Sequence, residues 1–308
     1  MTPSPKHRND VDQLELEANG TRLSNASNRL GRLASTPAAT PMTKLRDIYE
    51  KQGYLWLKGL LSREAVLDFR GWVLGHLNQA GILAPGSDPR LGLAAADGFD
   101  RAAADRRLMS IVRSVAYEGF CAQPALARFI DDFLGGLSYL HKRKLMRFTM
   151  PGTTMATPAH YDLVYLRGGT RRLVTAWIPI GDVSAEMGGL TYLEASHAIG
   201  SRLEEAFALA NANLAPQERI SAYNRNMTEG GLISKDLPDM AERFNTRWLV
   251  ADYEAGDVVL HSPFMIHAAT TNRSAHGIIR LSTDIRYQNV DDEIDARWNN
   301  HWSLDDML

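Results

Sequence analysis

The chain has 308 residues, 44% of them hydrophobic and 23% charged, and a formal net charge of −2; this suits a globular protein with a sizeable core and supplies no global field to draw nucleic acid or an anionic membrane. Cys121 is the only cysteine, which excludes an intrachain disulfide and a cysteine-based zinc site. No apolar run is long enough to span a bilayer and the N-terminus has no apolar signal core, so the cytoplasm is the default location.

Residues 1–42 are rich in Ser, Thr, Asn, Pro and charge without sustained periodicity, and read as a disordered or loosely attached arm. Order is expected from residue 43 to the end as one domain. A short helix runs to about Gln52, Gly53 stops it, and Tyr54-Leu55-Trp56-Leu57 reads as a strand. Ser62 is an N-cap with Glu64 in the first turn, and Val66, Phe69, Val73 and Leu77 give the next helix an apolar face. Residues 84–100, with Pro85-Gly86-Ser87-Asp88-Pro89, form a loop. Helices follow at about 103–117 and 123–134, the second with Leu126, Phe129, Ile130 and Phe133 on one side; Gly135-Gly136 ends it.

From residue 137 to 290 the pattern changes to strands. Leu137–Met150, Thr157–Leu166, Leu173–Ile180, Leu190–Leu193, Trp248–Tyr253, Val258–His261, Met265–Ala268 and Ile278–Gln288 are short, β-rich and bounded by turn residues. The basic runs His141-Lys142-Arg143-Lys144 and Arg171-Arg172 beside them read as solvated edges. Residues 201–245 are polar, with helical spacing around Leu203–Leu209, and form a lid-like insertion. The fold class is mainly β with flanking helices: a double-stranded β-helix (jelly roll, cupin-like) core on which the N-terminal helices, at 43–135, bury their apolar faces.

The chemistry concentrates at His160-Tyr161-Asp162. On a strand, residues two apart share a face, so an imidazole and a carboxylate project together. One more imidazole completes the 2-His-1-carboxylate triad that leaves open positions on ferrous iron. Two histidines compete for that place, His261 and His267. Their offset is even, but Pro263 breaks the strand between them and parity decides nothing. Gly256-Asp257 ahead of them makes a tight turn, and Val258-Val259-Leu260 enters the core.

The combined pattern resembles the phytanoyl-CoA dioxygenase-like (PhyH) family of iron(II)/2-oxoglutarate oxygenases. The matching residues are His160-Tyr161-Asp162, Trp177-Ile178-Pro179-Ile180 leading to Gly188-Gly189-Leu190, Ser196-His197, Gly256 to Leu260, and His267 followed by Asn272, Arg280 and Ser282. The resemblance covers roughly residues 43–290. By its register His267, not His261, is the third ligand. It implies Fe(II) on His160, Asp162 and His267, with 2-oxoglutarate as cosubstrate and O2 as oxidant, and release of succinate and CO2. Arg280 suits the far carboxylate of 2-oxoglutarate, because a guanidinium pairs a carboxylate in bidentate fashion at any working pH. Ser282, two residues on, shares its side and adds a hydroxyl. Arg286 is a weaker competitor of the same parity. Trp177, Arg147 and Thr157 match positions that hold or flank the cosubstrate in relatives, and His197 one that holds a loop. The carboxylate of Asp162, where halogenating relatives have a small residue, favours oxygen insertion.

These readings imply hydroxylation, or another oxidation, of an unactivated C–H bond of a small or medium-sized hydrophobic metabolite, such as a natural-product intermediate; desaturation, epimerisation and ring formation use the same ligands and stay open. The pocket walls are expected from residues 84–100 and 201–245. The partner is a small-molecule substrate, with neither nucleic acid nor membrane, and nothing in the sequence fixes an oligomeric state. The alternatives are a cupin-like metal enzyme that does not use 2-oxoglutarate and a non-catalytic jelly-roll binding protein.

Overall fold

The computed structural model describes residues 10–306. Strands β1 (Glu17–Ala18), β2 (Thr21–Arg22), β3 (Leu30–Arg32) and β4 (Ser35–Pro37) precede helix α1 (Met42–Gln52), β5 (Tyr54–Lys58) and helices α2 (Arg63–Leu77), α3 (Arg101–Ile111), α4 (Val115–Cys121) and α5 (Pro124–Leu134). Then come β6 (Ser138–Leu140), β7 (Leu145–Thr149), the single turn α6 (Leu163–Leu166), β8 (Val174–Pro179) and β9 (Leu190–Leu193). The insertion carries α7 (His197–Ala210), α8 (Pro216–Ile220) and α9 (Leu237–Arg243); β10 (Trp248–Val250), β11 (Val258–His261), β12 (His267–Ala269) and β13 (Arg280–Asn289) complete the sheets. Among the described residues no helix is long and apolar enough to cross a membrane.

A seven-stranded sheet runs β4-β5-β11-β8-β13-β6, with β7 also on β13, and a four-stranded sheet runs β12-β9-β10-β3. Period-two alternation divides the large sheet's side chains between two cores. Leu55, Leu57, Ala176, Ile178, Val258, Leu260, Leu281 and Ile285 pack against the helices. Trp56, Trp177 and Val259 face the small sheet's Leu190, Tyr192 and Leu249. This is the jelly-roll sandwich the strand pattern predicts, without a closed barrel.

Three expectations need correction. Residues 10–42 are not a loose arm: β3 pairs in parallel with β10 and β4 with β5, and Val11, Leu16, Leu23, Leu30 and Leu33 are buried. The hairpin β1–β2 turns at Asn19-Gly20, both at positive φ (52° and 84°), the backbone that a two-residue hairpin needs. The prediction for residues 1–9 lies outside the described residues. Secondly, Leu137–Met150 is two strands, and the break buries His141, Arg143 and Lys144. Lys144 pairs with Glu118 at 2.6 Å. Thirdly, the strand expected over Thr157–Leu166 ends at a bridge between His160 and His267, and the chain turns into α6.

Arg70 on α2 ties the helix layer to the sheet. Buried, it donates to the carbonyls of Ile180 and Ile279, both at 2.8 Å, and so pins the ends of β8 and β13. Gly188, before β9, sits at φ 76°, and its carbonyl accepts from Arg280 Nε at 3.0 Å. A Cβ there would lie 2.4 Å from the Thr270 carbonyl oxygen. Gly188→Ala is therefore expected to lower the unfolding free energy by about 1–3 kcal/mol, the usual cost of such backbone strain, in urea denaturation; an unchanged midpoint would refute this account of the turn.

Candidate active site

His160 and His267 are directly opposed, exchanging backbone hydrogen bonds at 3.0 and 2.9 Å, so their rings lie 4.3 Å apart. Each imidazole is fixed by the same local device. Nδ1 of His160 donates to the Pro158 carbonyl and Nδ1 of His267 to the Met265 carbonyl, both at 2.9 Å. A carbonyl can only accept, so both rings hold the tautomer whose Nε2 carries a lone pair. Asp162 reaches the same point from the N-terminal edge of α6. Its Oδ1 lies 3.7 Å from each Nε2, and the three ligand atoms fall within 4.8 Å of one another. Tyr161, between the ligands, points the other way: its hydroxyl donates to Glu204 on α7 at 2.8 Å, and Arg167 clamps both oxygens of the same carboxylate.

Asp162 is held from behind. Thr175 on β8, His261 on β11 and Arg286 on β13 are register partners across three neighbouring strands. All three donate to Oδ2: the Thr175 hydroxyl at 2.5 Å, His261 Nε2 at 3.3 Å and Arg286 Nη2 at 3.1 Å. Tyr192 orients His261 by donating to its Nδ1 at 3.0 Å. Oδ1 is buried without any hydrogen-bond partner. Burial raises the Asp162 pKa, but Arg286 and the His261 hydrogen bond outweigh it and hold the group well below the ordinary carboxylate range. Burial depresses His160, and burial together with His160 and His261 depresses His267 well below the ordinary imidazole value. Two neutral imidazole lone pairs and a bare carboxylate oxygen thus converge with no proton between them. A divalent cation satisfies all three, and the donor set suits iron.

The inner face of β13 continues outward as Asp284, Ser282 and Arg280. Arg280 is buried, donates to Ser282 Oγ at 3.1 Å, and its pKa falls to about 10 through burial, so it stays charged at neutral pH. Between it and the triad lies a small pocket bordered by Arg147, Thr157, Trp177, Leu190 and Asp284. The five residues predicted for the cosubstrate are therefore brought to one neighbourhood, Ser282 through its bond to Arg280. A larger cavity of about 410 Å³ adjoins that pocket, sharing Arg147, Thr157, His160 and Arg286 and bordered also by Asp162. Its walls are Leu145 and Arg147 on β7, Tyr223 to Lys235 of the insertion, and the C-terminal Trp298, Trp302 and Leu304. Residues 84–100, predicted as a wall, do not line it. His197 opens α7, packed over Gly53.

Sequence reasoning missed Thr175, the carboxylate-orienting His261 and the tail. Parity of β8 and β13 signals that Thr175 and Arg286 face inward, but only the register shows that they meet. Thr175→Val is expected to weaken metal binding about 10- to 100-fold, the usual cost of losing an outer hydrogen bond to a ligand, in anaerobic Fe(II) titration; wild-type affinity would refute that role. A second expectation concerns the metal-free protein. The depressed histidines bind protons more weakly folded than unfolded, so stability is retained above pH 6.5 and falls as pH drops below it. Urea unfolding between pH 7.5 and 5.5 should show this loss, and a His160→Gln/His267→Gln variant should lose less.

Comparison with known proteins agrees with this geometry. The family model for phytanoyl-CoA dioxygenase (PhyH) matches residues 49–281. The curated 1-deoxypentalenic acid 11-beta-hydroxylase of Streptomyces exfoliatus is 27% identical over 261 residues, covering 82% of this chain and 83% of that protein. The enzyme of the same name from Streptomyces arenae is 25% identical over 260 residues, with the same coverage of both chains. Among solved structures, the non-heme alpha ketoglutarate dependent carbocyclase SnoK from nogalamycin biosynthesis superposes with a TM-score of 0.53 at 20% identity, covering 85% of this chain and 89% of its own. That likeness supports the jelly-roll fold. With most of its length matched by the family model and the metal-ligand set assembled within it, the chain belongs to the phytanoyl-CoA dioxygenase (PhyH) family of iron/2-oxoglutarate oxygenases.

Proposed function

We propose that the protein is an Fe(II)- and 2-oxoglutarate-dependent dioxygenase that hydroxylates an unactivated C–H bond of a small or medium-sized hydrophobic metabolite in natural-product biosynthesis. The observation that carries this reading is the bare Asp162 Oδ1 facing two fixed Nε2 atoms, with a buried cationic side chain across the adjoining pocket. The hydroxylase activity of the curated relatives supports it.

Ferrous iron with 2-oxoglutarate and dioxygen supplies the oxidising power in this chemistry. The chain's own residues bind, orient and exclude water. His160, Asp162 and His267 hold the metal, and the donors on Oδ2 leave Asp162 one oxygen to offer it. Arg280 and Ser282 would take the far carboxylate of 2-oxoglutarate at the pocket that Trp177 and Thr157 border, with Arg147 at the edge shared with the larger cavity. That cavity holds the substrate, its size lying within the range of small-molecule sites.

The test is anaerobic loading with Fe(II) followed by 2-oxoglutarate and air, with succinate as readout. His160→Ala and Asp162→Ala should form none above background. Arg280→Ala should weaken 2-oxoglutarate binding about 10- to 150-fold, the loss of ~1.5–3 kcal/mol expected for hydrogen bonds to a charged group. Succinate formation at the wild-type rate in both ligand variants, or an unchanged affinity in Arg280→Ala, would overturn the reading.

A further inference from the structure

Arg280 is buried, yet a second opening reaches it from outside. Where β7, an edge strand, pairs with the start of β13, a cleft of about 160 Å³ lies between the end of β7 and the segment that leads to β12. Arg101 on α3 and Met155 stand at its rim; the Arg101 side chain is 65% exposed and Met155 60%. At its inner end Arg147, Thr157 and Arg280 border the cleft and the inner pocket alike. Trp302 and Leu304 border both the cleft and the larger cavity, so the tail stands between the two mouths.

The mouths differ in charge. Among the described residues no carboxylate borders the cleft, and its only charged side chains are the three arginines, Arg101, Arg147 and Arg280. Arg101 donates from Nε to Asp105, outside the cleft, and its guanidinium lies 5.6 Å from the Phe148 ring. Arg147 makes no hydrogen bond among the described residues, and its one ion contact, to Asp284, is long at 3.8 Å. The larger cavity is of mixed sign, with Glu229 and Asp306 beside Lys235 and Arg143, and Arg143 pairs with Asp306. A dianion is steered by a surface of one sign and gains little from one of mixed sign. We propose that the cleft is the port through which 2-oxoglutarate enters and succinate leaves, separate from the mouth of the larger cavity. The proposal rests on the reading of the inner pocket as the 2-oxoglutarate site. Arg101 draws the dicarboxylate to the rim, Arg147 turns it inward, and Arg280 receives it. A substrate seated in the larger cavity leaves this route open, so cosubstrate exchange does not wait for product release.

The test loads the full chain with Fe(II) in the absence of oxygen. Stopped-flow absorbance of the iron chelate follows 2-oxoglutarate binding, and a chase with excess N-oxalylglycine follows its release. Arg101→Glu should slow association roughly 3- to 10-fold at about 0.01 M salt, and the difference should shrink at about 0.15 M, where charges are screened. Lys235→Glu, the matching reversal on the wall of the larger cavity, should leave the association rate unchanged. Ala156→Trp puts an indole into the cleft and should slow association and release together by roughly tenfold or more at constant affinity, because an obstacle in a passage is crossed in both directions. Circular dichroism checks that each variant is folded. A wild-type association rate in Arg101→Glu or in Ala156→Trp overturns the port, and so does a slowed one in Lys235→Glu. Slower association in Ala156→Trp with unchanged release overturns it too, since residue 156 would then touch the bound molecule. A wild type that binds no 2-oxoglutarate overturns the reading of the inner pocket, and the port with it; binding with these variant results reversed overturns the port alone.

Discussion

One carboxylate organises this molecule. Asp162 is wholly buried, and a buried anion persists only where donors offset the lost hydration. The donors come from β8, β11 and β13 at a single register of the large sheet, and all fall on the same oxygen. The asymmetry matters more than the number. One oxygen is saturated and the other is bare, which gives the group a direction. The two histidines, each locked through Nδ1 to a carbonyl two residues back, aim at the bare side. Shifting any of the three strands by one residue would turn its donor toward the helix layer and remove one of the three hydrogen bonds that offset the charge.

The same alternation explains how one sheet is greasy on one face and ionic on the other. On β13, Leu281, Ile285 and Tyr287 pack against helices, while Arg280, Ser282, Asp284 and Arg286 point between the sheets. A charged inner face is tolerable where its cations meet acceptors, fully or, for Arg286, through Nη2 alone. Arg280 bonds to Gly188 and Ser282, and Arg286 to Asp162. Arg70 does the corresponding service from the helix side, its burial lowering its pKa to about 10 while backbone carbonyls accept its hydrogen bonds.

How much of this is legible in the sequence follows from the range of each interaction. The β core, the helices of residues 63–77 and 124–134 and the inward parity of Arg280 and Ser282 are local patterns and read correctly, whereas the helix expected at about 103–117 breaks at Val112–Ser114, where Ser114 caps α4. Sequence parity puts Asp162 on a strand; the chain instead turns at Tyr161, whose hydroxyl is pulled to Glu204, an interaction spanning 43 residues that no local pattern records. The basic run at 141–144 looks solvated because composition cannot show that Glu118 and Asp306 wait for it. The first strands have two or three residues, too short for any periodicity to appear, and Asn19-Gly20 is the one turn signal available there. The resemblance sets His261 aside as a ligand, yet its place behind Asp162 depends on the pairing of β11 with β8, which sequence spacing does not specify.

The apparatus around the metal ligands and the lining of the larger cavity come from different parts of the chain. The supports of Asp162 sit on β8, β11 and β13, inner strands of the large sheet, and the two histidines face each other across a bridge, whereas much of the lining comes from residues 223–235 of the insertion and 298–304 of the tail. The family match stops at residue 281, before the tail begins. A laboratory library confined to the cavity-facing positions of those two segments would therefore vary selectivity while leaving the metal ligands and the donors behind Asp162 untouched.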